Sequence, residues 1–157
     1  MLIALWRGEP EEAESIARQG LTELAETEEH ALAADLLVLL ARAEADIASQ
    51  PPHAKHREID GASWSQHHLA GMAADPFTDH PWHRSRPAQK LTFIAEQARR
   101  ALTNDPGLWA AATAAWAELG MPHKAAYTGW RQAEAMLADK VDPAAMQAVL
   151  TQALHAA

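Results

Sequence analysis

Cysteine is absent, tyrosine occurs once and phenylalanine twice, and no apolar run approaches the length of a membrane span. Without thiols there is no disulfide framework and no thiolate chemistry, which suits a reducing cytoplasm. No basic leader precedes a short apolar stretch, so no secretory signal is read, and a bilayer crossing needs about 20 apolar residues. Positive charge is scarce. Thirteen Lys and Arg face 21 Asp and Glu, for a net charge of −8. A surface of that sign attracts neither nucleic acid nor an anionic membrane, so direct binding to either is not expected. Strand patterning is missing too: no stretch alternates apolar and polar residues with period two. What remains is alanine and leucine, which carry most of the 48% apolar fraction and favour helix. A chain of 157 residues makes one domain the default.

The most legible stretch runs from Asp105 to Leu137. Asp105 is a good N-cap, and Pro106 occupies the first helical position, where a missing N–H costs nothing. Trp109, Ala112, Trp116 and Leu119 recur on one helical face. Gly120 can take the left-handed conformation that closes a helix, and Pro122 opens the next. There Ala126, Trp130, Ala133 and Leu137 form the answering stripe, so a helical hairpin with tryptophan locked between small residues is expected.

Other helices follow from the same signals. A short one ends at Gly8, and its apolar Met1–Trp6 edge calls for a covering element. That edge implies a fragment of a longer chain or contact with a partner, a homodimer among the options. A second helix spans about 10–26, with Ala13, Ile16, Ala17, Gly20, Leu21 and Leu24 inward. A third, capped by Thr27, spans about 28–48 and should be the most buried. Residues 49–87 read as a variable connector, with a helix about 54–74 and prolines punctuating the rest. Helices about 88–103 and 143–155 complete a set of about seven. Leu91, Ile94, Ala95, Ala98 and Leu102 are expected inward on the first of these, and Arg99 and Arg100 outward.

Two turns repeat: Gly8-x-Pro10-x-x-Ala13 matches Gly120-x-Pro122-x-x-Ala125, each with a tryptophan just upstream. Glycine ending one helix, with a small residue five positions on, is the pattern of tetratricopeptide repeats. Gly129 and Gln132 depart from that pattern. The fold expected is all-α, with antiparallel hairpins stacked as a tetratricopeptide-like array over a single domain, 1–157. An irregular helical bundle is the alternative.

The segments LWRGEPEEAESIARQGL, ALAADLLVLLARAEAD and LWAAATAAWAELGMPHKAAYTGWRQAEAMLA resemble the helical-repeat region of large LuxR-type, MalT-like, ATP-dependent transcriptional regulators. The match is best in AYTGWRQAEAML and does not extend across 53–87. In that family an ATPase module precedes the repeats and a helix-turn-helix domain follows. Neither a phosphate loop nor a DNA-reading helix is present in this sequence. The resemblance therefore implies a regulatory middle piece that has flanking ATPase and DNA-binding domains, or another protein, as partners. It also implies a possible small-molecule effector, no cofactor and no catalysis.

Four residues stand out as candidate ligand or partner contacts. Trp64 and Trp82 lie among polar residues, where they would either line a groove or cap the core. Tyr127 and Arg131 would form a polar patch on the outer face of the hairpin, with Glu134 paired to Arg131 at a spacing of three. The histidines of 53–83 supply a different reading, a helical-bundle metalloprotein or hydrolase. His53, His56, His67, His80 and His83 are its candidate metal ligands, and Asp60, Asp75 and Asp79 lie among them. The HExxH order is absent, and no nucleophile elbow accompanies Ser63, Ser65 or Thr78.

Overall fold

A computed structural model describes residues 1–25, 30–50, 63–72, 74–78 and 81–156. Among these are eight helices and no strand: α1 Leu2–Arg7, α2 Pro10–Leu24, α3 His30–Ser49, α4 Trp64–Gly71, α5 Arg86–Arg100, α6 Pro106–Glu118, α7 Pro122–Ala138 and α8 Pro143–Ala156. None is long and apolar enough to cross a membrane. The expected Thr27 cap and residues 54–62 of the expected fourth helix lie outside the described residues.

Local chemistry sets the boundaries. Gly8 closes α1 at φ 76° and Gly120 follows α6 at φ 66°. The two corners share one hydrogen-bond pattern. Glu9 N–H reaches back to Ala4 O at 2.9 Å, as Met121 N–H does to Trp116 O at 3.1 Å, each a helix-ending motif that satisfies an orphan carbonyl. Pro10 and Pro122 then open α2 and α7, and three residues on, Ala13 and Ala125 are buried. Two further helices end the same way without glycine, at Leu102 (φ 58°) and Lys140 (φ 56°). α6 starts as expected, with the Asp105 carboxylate accepting from Gly107 N–H at 2.7 Å. α5 starts at Arg86, before Pro87, with Gln89 N–H closing the first turn on Ser85 O at 2.9 Å and the Arg86 guanidinium donating to Thr78 O at 2.9 Å.

Each long helix packs on the one beside it: α2 on α3, α3 on α5, α5 on α6, α6 on α7 and α7 on α8, with α1 against α2 and α4 against α3. The apolar core is a chain of small clusters. Leu21, Leu37, Leu40, Phe77 and Phe93 fill the space between α2, α3 and α5, covered by the half-buried Trp64, Leu69 and Met72. Trp116 packs between Ala88 and Ala125, and Trp109 between Ala95 and Ala135. Large rings thus sit against alanines, and each of them buries enough surface to anchor its helix pair. Gly129 serves the next junction. A Cβ there would stand 3.1 Å from Ala153 Cβ, so its missing side chain lets α8 approach α7.

Two expected faces are rotated. On α7, Trp130 and Leu137 are 43% and 65% exposed, and the buried face is Ala125, Thr128, Gly129, Arg131, Ala133, Ala135 and Met136. On α5, Ile94 is exposed, as is Leu102 just past its end, whereas Gln89, Thr92, Glu96, Gln97 and Arg99 point inward. Arg99 is therefore inside, not outside. The inward polar groups have partners waiting on α3, α4, α6 and α7, and hydrogen bonding removes the penalty of burying them.

Candidate functional site

Helices α3, α5 and α7 each send ionisable side chains to one shared point. From α5, Glu96 is fully buried and holds Arg99, whose Nε donates to its carboxylate at 2.8 Å. From α3, the Asp46 carboxylate accepts from Arg99 Nη2 and from Arg131 Nη2, both at 2.8 Å. From α7, the Tyr127 hydroxyl donates to Glu96, and Arg131 Nε donates to the Tyr127 oxygen at 3.1 Å. Arg131 Nη1 also reaches Glu134 at 2.8 Å. Arg42 on α3 lies over the Tyr127 ring, 4.3 Å from its centroid. Arg131 lies over Trp130 at 4.4 Å, and Trp109 meets Tyr127 edge-on at 6.4 Å. Both geometries are attractive, because a ring face is negative and a ring edge positive.

Electrostatics fixes the protonation of three members. Burial raises the Tyr127 pKa, and the adjacent Glu96 carboxylate raises it further. Burial alone would ease the proton from Arg131, but the Tyr127 oxygen, Glu96 and Asp46 outweigh it, and the pKa of this guanidinium rises. Arg99 behaves alike, with burial opposed chiefly by Glu96. These three groups therefore keep their protons at neutral pH, and what they offer is fixed hydrogen-bond donation and charge. No family model, curated protein or solved structure matches the chain.

The expected patch of Tyr127, Arg131 and Glu134 exists, but Arg131 is only 8% exposed, so it belongs to the interior rather than an outer face. The solvent-facing rim is Trp130, with the Glu134 carboxylate beside it. Trp64 and Trp82 are not part of this cluster. Trp64 stands between the Arg18 guanidinium (5.2 Å) and the His68 ring (4.7 Å) and caps the α2–α3 core, while Trp82 is 85% exposed. Of the candidate metal ligands, His53, His56 and His80 lie outside the described residues, as do Asp60 and Asp79. His67 is exposed and His83 half-buried, and no three metal-ligating side chains converge among the described residues.

Arg42, Asp46, Glu96 and Arg99 did not stand out as a site in the sequence. The trace they leave is faint: Arg42–Asp46 and Glu96–Arg99 fall at helical pair spacings, which usually mark solvated surface pairs. A second polar core fastens α4. Its first turn carries a capping box, with Gln66 N–H on Ser63 Oγ at 3.1 Å and Ser63 N–H on Gln66 Oε1 at 3.2 Å. The buried Glu44 of α3 accepts from Ser65 N–H at 3.1 Å and Ser65 Oγ at 2.7 Å, and Gln97 of α5 ties both serines at 2.8 Å. A carboxylate at this helix start is favoured by the free N–H groups and the dipole. At the opposite end of the chain, Leu2, Ile3 and Trp6 of α1 are 51%, 68% and 83% exposed, which leaves the edge expected for self-contact facing solvent.

Proposed function

We propose that the chain is a non-catalytic regulatory module of a transcriptional regulator, built from tetratricopeptide-like hairpins and sensing a small molecule or a protein partner through α7. The observation that carries this reading is the shared anchoring of Asp46, Glu96, Tyr127 and Arg131. Whatever contacts Trp130 or Glu134 at the rim also pulls on Arg131, which is tied to α3 through Asp46 and to α5 through Tyr127 and Glu96. A small displacement at the rim is then shared by three helices instead of being absorbed by one side chain, because packed cores resist continuous deformation. The hairpin reading is supported by the repeated Gly-x-Pro-x-x-Ala corner and by helix-on-next-helix packing. The family reading rests on the resemblance in the three quoted segments.

Thermal unfolding of the full chain, with and without a broad panel of sugars, organic acids and other metabolites, tests the sensing role. A true effector stabilises the folded chain by mass action, by about 2.7 kcal/mol at a hundredfold excess over Kd, and so raises the midpoint. The same effector should lose its effect on Trp130→Ala. If no member of the panel stabilises the chain, and no protein partner protects α7 in hydrogen exchange, the reading fails.

A further inference from the structure

Two of the three guanidiniums in the α3–α5–α7 cluster have their hydrogen bonds in place, and the third does not. Arg99 binds Glu96, Asp46 and the Arg42 carbonyl; Arg131 binds Tyr127, Asp46 and Glu134. The Arg42 side chain makes no hydrogen bond among the described residues. Its Nε is buried without a partner and stands 3.7 Å from Asp46 Oδ2, beyond hydrogen-bond reach. The Asp46 oxygen within reach of the cluster, Oδ1, is already shared by Arg99 and Arg131. The side chain as a whole is 18% exposed, and its two terminal nitrogens are not among the buried unpartnered atoms. They offer a fork of N–H donors held in place by the Tyr127 ring.

We propose that Arg42, Tyr127 and Trp130 form a binding site for a small monocarboxylic acid with a flat, aromatic body. Its carboxylate would take the two terminal nitrogens of Arg42 side by side, the geometry for which a guanidinium is matched. Its ring would lie along the Tyr127–Trp130 edge, where the two ring centroids are 6.2 Å apart and Trp130 is 43% exposed. The charge count selects a monoanion. Arg42, Arg99 and Arg131 are balanced by Asp46, Glu96 and Glu134, so the cluster has no surplus positive charge with which to hold the second negative charge of a dianion such as phosphate. A cationic ligand is disfavoured for a different reason. Arg42 already covers Tyr127 and Arg131 already covers Trp130, so the cation–π positions are filled.

This assignment deepens the sensing reading and rests on it, and the test separates the two. Phenylacetate, acetate, inorganic phosphate, choline and glucose are titrated separately into the full chain by calorimetry, to about 10 mM. Phenylacetate should bind saturably, and acetate at least tenfold more weakly, about 1.4 kcal/mol. Arg42→Lys, which keeps the charge and loses the fork, should weaken phenylacetate about tenfold, and Arg42→Gln should do so further. In the unsubstituted protein the Arg42 side-chain N–H resonance should shift with the same saturation curve, a readout that does not depend on any variant folding. Unchanged affinity in Arg42→Lys and Arg42→Gln, or no shift of that resonance, overturns the carboxylate site. Glucose binding that needs Trp130 and ignores Arg42 overturns the site while sparing the sensing reading. Absence of saturable binding in every arm overturns the site, and the metabolite panel then judges the wider reading.

Discussion

The Tyr127 hydroxyl on α7 donates its hydrogen bond to the fully buried Glu96 carboxylate on α5, and this contact links two helices that are separated in sequence by the whole of α6. Glu96 also takes Arg99, and Arg99 takes Asp46, so the link continues into α3. Apolar clusters hold neighbouring pairs of helices, and this chain of charges holds three helices to a common register. Buried ion pairs add little stability relative to an apolar core of equal volume, but breaking one strands the charges left behind.

Asp46 should therefore be costly to remove and Glu134 cheap. Asp46→Ala leaves the Arg99 and Arg131 guanidiniums, 7% and 9% exposed, without a shared acceptor. A loss of about 3 kcal/mol or more is expected in urea unfolding. Glu134 pairs with Arg131 at the same 2.8 Å, but its side chain is 40% exposed, and Glu134→Ala should cost less than about 1 kcal/mol. Equal losses for the two would show that burial does not govern the network.

Alkaline pH offers an independent check, since Tyr127 is the only tyrosine in the chain. Burial, and then Glu96, raise its pKa in the folded protein. An unfolded tyrosine loses its proton near about pH 10. Above that pH the folded state holds a proton that the unfolded chain has released. Stability is thus complete below about pH 10 and declines as pH climbs toward the raised value. The phenolate absorbance should appear together with the loss of helical circular dichroism. A phenolate that titrates near pH 10 with the helices intact would contradict the buried hydrogen bond.

How much of this was legible depended on whether a residue acts locally or across the fold. Gly8, Pro10, Gly120, Pro122 and Asp105 mark helix ends through their own backbone chemistry, and the helix boundaries at those positions follow from sequence. Trp109 and Trp116 stand on an alanine-flanked stripe and were readable as core. Trp130 was not, because the face of α7 was read from an apolar stripe, while the face buried in the structure carries Thr128, Gly129 and Arg131. The same happened on α5. Glu96 and Arg99 look like a surface pair until Asp46, 53 residues from Arg99, and Tyr127, 31 residues from Glu96, are brought beside them. Periodicity cannot separate a buried polar face whose partners are distant from a solvated one.

Backbone strain at a helix end predicts a gain in stability. Lys140 adopts φ 56° just after α7, with Val141 N–H closing on Met136 O at 3.0 Å, the arrangement that glycine performs at Gly8 and Gly120. The left-handed conformation costs a side-chain-bearing residue about 1–2 kcal/mol, and part of the relief is offset by the greater freedom of glycine when unfolded. Lys140→Gly should raise stability by up to about 1 kcal/mol in chemical unfolding. Lys140→Val, with its β-branched side chain, should lower it. If both variants are neutral, the strain is not stored at this corner.

The docking of α4 is the last relationship open to a sharp test. Glu44 is its acidic contact on α3 among the described residues, accepting the Ser65 amide and hydroxyl, and Gln97 completes the ring of bonds from α5. Glu44→Gln keeps the size but can offer only one acceptor oxygen, and its amide would face the Ser65 amide donor in one of its two orientations. Removing a charged acceptor from a buried hydrogen bond costs about 1.5–3 kcal/mol. That cost should fall on α4 rather than on the whole chain, because α4 packs chiefly on α3 over a short length, while α3 is also held along its length by α2 and α5. Amide exchange of residues 66–71 should therefore accelerate about tenfold or more in the variant, with α6 and α7 unchanged. Uniform acceleration along the chain would mean that α4 unfolds only with everything else, and that Glu44 supports the global fold instead of a separable helix.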